Sequence, residues 1–141
     1  MVAGSLASTL HGEPRSTQDI DLVVDPTPDQ LAAFVDRLDT DRFYVGDAFG
    51  ALERRDQFNV IDVTTGWKVD LIIRKDRPFS QTEFGRRRPA VILGVRTAVA
   101  SVEDTILAKL EWAKADDSDR QRRDVTAMIS DAALRSADDD R

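Results

Sequence analysis

The sequence predicts an α/β (α+β) domain built on a mixed β-sheet with flanking helices and a C-terminal helical pair. Three observations lead there. Short apolar runs rich in Ile, Leu and Val alternate with helix-patterned segments over the first 100 residues. Two of those runs, Phe58–Val63 and Trp67–Arg74, are separated only by Thr64-Thr65-Gly66 and read as an antiparallel hairpin. The last third of the chain holds two helical patterns and no strand pattern. At 141 residues the length suits one domain, read as a sheet-containing core over 1–100, C-terminal helices over 101–136 and an acidic tail over 137–141.

Taken in order, Ala3–Leu10 is a short helix with Gly12 as its terminator, and Gln18–Val24 is a strand stopped by Asp25-Pro26. Thr27 is an N-cap, with Pro28 at the first helical position and Gln30 three residues after the cap, opening a helix to about Leu38. A helix follows near Asp47–Arg55, then the hairpin. Phe79–Arg87 is a short helix and Ala90–Val95 a strand broken by Gly94. Ser101 with Asp104 resembles a cap for a helix over Val102–Ala115. A last helix spans Asp119–Arg135, ahead of Asp138-Asp139-Asp140, which reads as a solubilising tail.

Composition excludes several classes of function. Without cysteine there is no disulfide, thiolate nucleophile or cysteine-based zinc site. No apolar run approaches the roughly 18 residues of a membrane span, and the N-terminus lacks the basic region of a signal peptide and carries Ser, Thr and His early, so the cytoplasm is the expected location. Net charge is −6, from 26 acidic against 20 basic residues, which argues against bulk DNA binding by counterion release. Arg86-Arg87-Arg88 is a local exception that reads as a solvated turn or as an attractor for a phosphate-bearing acceptor. His11 is the only histidine and fits a helix end or the surface better than a catalytic base. Trp67 and Trp112 read as core rather than as stacking platforms.

The chemistry concentrates near the start. Strand alternation puts Asp19 and Asp21 on one face, about 7 Å apart, and Ile20, Leu22 and Val24 on the other. Two carboxylates so placed can share divalent cations that clamp an in-line phosphoryl displacement. They can equally be the solvent-facing positions of a half-buried edge strand. Ahead of them, Gly4 and Ser5 open the first helix, where free amides and a glycine's lack of Cβ favour phosphate. Arg15 and Thr17, in the connecting loop, either touch phosphates or stabilise the turn. A third carboxylate completes a two-ion site. Asp70, set in Val69-Asp70-Leu71-Ile72, is favoured over Asp62 because an ionised carboxylate in an apolar run needs a partner or a metal.

Gly4-Ser5, the segment from Gly12 to Leu22 containing Asp19-Ile20-Asp21, and Val69-Asp70-Leu71 together resemble the nucleotidyltransferase superfamily with the polymerase-β-type fold. The chain is most similar to the small bacterial branch that includes abortive-infection nucleotidyltransferase toxins, whose late Lys-Leu and Arg-Asp pairs have counterparts in Lys109-Leu110 and Arg123-Asp124. The resemblance implies a sheet of the nucleotidyltransferase type, with Gly4 and Ser5 on nucleotide phosphates. It implies that Asp19, Asp21 and Asp70 hold magnesium (Mg2+, as a two-ion site) and that Asp70 helps to activate the acceptor hydroxyl. The implied reaction transfers a nucleoside monophosphate from an NTP to an acceptor such as tRNA or protein. The alternative is a non-catalytic interaction module of a toxin–antitoxin pair, bound to an antitoxin partner. By helical periodicity Lys109 falls within an arc of Val102, Ile106, Leu110 and Ala113, where it snorkels or reaches into a pocket and offsets triphosphate charge. Asp124, at the margin of the Val125, Met128, Ile129 and Ala132 face, either belongs with the nucleotide-binding set or pairs with a neighbouring Arg.

Overall fold

The computed structural model describes residues 1–11, 19–116 and 119–139. Among them, seven strands form one mixed sheet in the order β3-β4-β5-β2-β1-β7-β6. The elements run β1 (Val2–Ala3), α1 (Gly4–Leu10), β2 (Asp19–Val24), α2 (Pro28–Asp36), β3 (Phe43–Val45), α3 (Ala48–Arg54), β4 (Gln57–Asp62) and β5 (Lys68–Ile73). They continue with α4 (Pro78–Gly85), β6 (Arg88–Ile92), β7 (Val95–Val99), α5 (Val102–Asp116) and α6 (Asp119–Asp139). No helix of the described residues is long and apolar enough to cross a membrane.

Local signals set most boundaries. Thr27 and Gln30 form the reciprocal capping box, with Gln30 N donating to Thr27 Oγ1 at 3.3 Å and Thr27 N to Gln30 Oε1 at 2.9 Å. Asp47 caps α3 by accepting from Gly50 N at 2.9 Å. The β4–β5 hairpin is antiparallel, closed by Gly66 at φ +77°.

Two strands are too short to leave a sequence pattern. β1 has two residues, yet it joins the halves of the sheet, pairing antiparallel with β2 and parallel with β7. β3 has three. The run expected as one strand over Ala90–Val95 is a hairpin: Leu93 and Gly94 both take positive φ and reverse the chain between β6 and β7. The last helix runs to Asp139, beyond the expected Arg135, so most of the acidic tail is helical. Gly12, expected to end the first helix, and Gln18 lie outside the described residues.

Register divides the sheet into two unlike faces. Leu22 lies opposite Leu71, and Leu71 opposite Phe58. With Ile73, Val60, Leu31, Ala48 and Ala51, Leu71 and Phe58 make the core beneath α2 and α3. Val2, Ala7 and Val99, packed with Leu6 and Leu22, continue this apolar layer under α1. Burying the Leu, Ile, Val and Phe side chains among them stabilises the fold by about 1.5–3 kcal/mol each. The other face carries Asp19, Asp21 and Val23 of β2 beside Lys68, Asp70 and Ile72 of β5. α4 and α5 stand over part of it, leaving a cleft of about 400 Å³.

Candidate active site

β2 lies between β5 and β1, so the edge-strand account of Asp19 and Asp21 does not hold. The parallel β2·β5 register places Asp21 directly opposite Asp70 and Asp19 opposite Lys68. All four side chains therefore project from one face. Asp62 has the opposite parity and points to the core side. There it accepts from Arg42 at 2.7 and 3.2 Å and from Thr64 at 2.6 and 2.9 Å. The Arg42 guanidinium, with Thr64, holds its carboxyl well below the usual carboxylate range. Asp62 is a turn-fixing residue, and the third carboxylate beside Asp21 is Asp70.

Gly4 begins α1 at φ +59°, and a Cβ there would sit 1.9 Å from Asp21 Oδ2. The space a side chain would fill thus belongs to the Asp21 carboxylate. Any other L residue would be strained and obstructed at once. Ser5 stands in the first turn of α1. Its hydroxyl, like Arg15 and Thr17, lies outside what is described.

Lys68 is the site residue that sequence reasoning passed over. Its ammonium lies 3.0 Å from Asp70 Oδ2 and 3.9 Å from Asp19 Oδ1, and these carboxylates raise its own pKa, Asp70 foremost. The available signal was its place two residues before Asp70, on the same face. Among the described residues no three His, Cys, Asp or Glu side chains stand ready-gathered around a metal position. The carboxylates instead converge on the lysine. As hard oxygen donors on a shared face, already drawn around a positive charge, Asp19, Asp21 and Asp70 fit a divalent cation such as Mg2+ in chemistry.

Lys109 and Asp124 meet each other. Lys109 Nζ donates to Asp124 Oδ2 at 2.7 Å, with the residues only 6% and 3% exposed, and Lys109 also lines the cleft. The expected apolar arc of α5 is corrected. Leu110 is 45% exposed, while Asp104, Thr105, Lys109 and Ala113 are buried. Polar side chains can take that face because each has a partner. Asp104 accepts from Ser101 Oγ at 2.9 Å and from the Arg86 guanidinium, so Arg86, exposed in the turn after α4, also anchors the start of α5. Trp67, expected in the core, is 42% exposed at the hairpin end. The Trp112 side chain lies outside the description. His11 follows the end of α1, its Nε2 3.0 Å from Ala100 O, consistent with a helix-end role.

The cleft runs from Gly4, Asp21 and Val23 across Ile72 to Arg77, Phe79 and Glu83, with Lys109 on its α5 wall. At its rim Arg74 and Arg55 share Asp25 and Asp76, tying the ends of β2 and β5 together. Arg77 grips Glu111 in a two-point contact, Nη2 to Oε2 at 2.7 Å. Burial, with Asp104 nearby, pushes Glu83 up to about 7. The raised value means that the folded state favours the protonated acid. Its contribution is full below the unfolded value of 4.5 and fades as pH rises to about 7. Glu83→Gln should therefore gain stability over the native chain between pH 5 and 8, by about 1–2 kcal/mol once solvent screening is discounted. Thermal melts across that range check it; parallel curves would contradict it.

Neither the protein-family models nor the curated proteins yield a match to this chain. Among solved structures, the chain is similar to an antigenic nucleotidyltransferase-like protein from Paracoccidioides brasiliensis, with a TM-score of 0.60 and 21% identity. The likeness covers 94% of this chain and 66% of that protein, just under two thirds of its length. The sheet and its flanking helices thus follow the α/β architecture of a nucleotidyltransferase-like protein.

Proposed function

We propose that the chain is a Mg2+-dependent nucleotidyltransferase, moving a nucleoside monophosphate from an NTP to an acceptor hydroxyl on tRNA or protein with release of pyrophosphate. The observation that carries this reading is the side-by-side register of Asp21 and Asp70 on the open face of the sheet, with Gly4 against Asp21. The nucleotidyltransferase-like fold supports it. Asp19, Asp21 and Asp70 would hold Mg2+, which when bound supplies charge neutralisation at the phosphate oxygens. The protein's share is positioning and electrostatics. Gly4 keeps the wall beside Asp21 free of side chain, Lys68 balances the acidic face, and Lys109 adds positive potential from the α5 wall. Asp70 takes up the acceptor's proton. Lys109-Leu110 and Arg123-Asp124 support the finer placement among small bacterial abortive-infection toxins.

A second reading, the non-catalytic module of a toxin–antitoxin pair, draws on two observations. The Lys68 ammonium already lies between Asp19 and Asp70, and Lys109 is paired with Asp124. Calorimetric titration separates the two readings. The enzyme reading expects heat from an NTP only in the presence of Mg2+; silence with all four NTPs and Mg2+ sinks it and favours the module.

A further inference from the structure

The cleft's acidic side chains, among the described residues, are Asp21, Asp56, Glu83 and Glu111. Glu111 is gripped by Arg77, and Asp21 lies on Gly4. Asp56 is exposed to solvent. Glu83 differs in being half-buried while its carboxyl makes no hydrogen bond or ion pair with any described residue. The guanidiniums nearest in charge are turned away from it, Arg77 toward Glu111 and Arg86 toward Asp104, with Arg86 Nε 3.2 Å from Asp104 Oδ2. A half-buried carboxyl without a partner is costly, and its cost is recovered by a ligand that brings hydrogen-bond donors. One helical turn earlier on α4, Phe79 lines the same cleft; residues four apart share a helix face. Aromatic face and acceptor edge are therefore neighbours on the α4 wall of the cleft that Asp21 and Gly4 also line.

We infer that Glu83 reads the base of the bound nucleotide, accepting from two adjacent N–H donors while Phe79 packs on the ring face, and thereby selects guanine over uracil. Guanine is the one common base that presents a ring N–H beside an exocyclic amino group. Uracil offers a single ring N–H flanked by two carbonyl oxygens, which repel a carboxylate. The inference rests on the proposed nucleotide-binding function. A cleft of about 400 Å³ is within the size range of small-molecule sites.

The proton balance supplies a signature. Near neutral pH Glu83 is partly protonated, its charge opposed by Asp104 and Glu111 of α5 and favoured by Arg77 and Arg86 on either side of α4. Accepting two N–H bonds requires the carboxylate, so guanine binding expels that proton to the buffer.

The experiment is calorimetry on the full chain at pH 7, with GTP and with UTP in the presence of Mg2+, in two buffers of different ionisation enthalpy. GTP should bind roughly 10- to 100-fold more tightly than UTP and release a fraction of a proton. Glu83→Gln, whose amide presents an N–H where guanine needs an acceptor, should lose both the preference and the release. Equal affinity for GTP and UTP overturns the inference and leaves the nucleotide site standing, as does a GTP preference that survives in Glu83→Gln. Binding of neither nucleotide overturns both readings.

Discussion

Asp21→Ala and Asp70→Asn each reduce nucleotide transfer by about 10³-fold or more, the scale on which single catalytic acids, bases and charge-stabilising groups act. The reason is positional. The two side chains face each other across β2·β5, and toward the cleft the next residues on that face, Val23 and Ile72, carry no charge; on the other side Asp19 lies opposite Lys68, not Asp70. The fold should survive both changes. Asp21→Ala removes atoms from the crowded contact with Gly4, and Asp70→Asn keeps shape while releasing Lys68 from a charged partner. The assay follows label from the α-phosphate of an NTP into acid-precipitable material, with thermal melts as the control for folding. Transfer at the native rate by either well-folded variant would remove that residue from the chemistry.

Asp124→Ala produces the largest loss of stability. It leaves the Lys109 ammonium buried between α5 and α6 without its carboxylate, and breaking a buried pair from one side costs about 3–5 kcal/mol. For a domain of this length that lowers Tm by roughly 10–15 °C. Replacing both partners with apolar residues of similar size, Lys109→Met with Asp124→Leu, should recover most of the loss, because the penalty lies in the stranded charge. Chemical denaturation of the two variants measures this. A loss below about 1 kcal/mol in Asp124→Ala is what a solvated pair gives, and would contradict the burial argument.

The sequence made some of this legible and hid the rest for physical reasons. The Thr27–Gln30 capping box, the Asp47 cap and the hairpin around Gly66 depend on neighbouring residues alone, and all are present. Asp19 and Asp21 could be placed on one face because strand alternation is local. Choosing Asp70 over Asp62 rested on its apolar flanks; the register between β2, β5 and β4 gives the structural reason. β1 has no pattern to detect, since two residues become a strand only by pairing with β2 and β7. α5 was misread because its buried side holds Asp104, Thr105 and Lys109. Besides the local Ser101 cap, their partners are Arg86 and Asp124, 18 and 15 residues away, which make that burial tolerable. Glu83 could not be found at all: its isolation comes from Arg77 and Arg86 choosing other carboxylates, which no spacing records.

The central claim is that the acidic face of β2 and β5 works as a nucleotidyl-transfer site. Incubating the native chain with Mg2+, cellular RNA and protein, and each NTP labelled on either its α- or its γ-phosphate, tests it most directly. α-Label should become attached to a macromolecule while γ-label leaves as pyrophosphate, and both signals should vanish with Asp21→Ala. Intact NTP after prolonged incubation, or γ-label carried onto the acceptor, would contradict it.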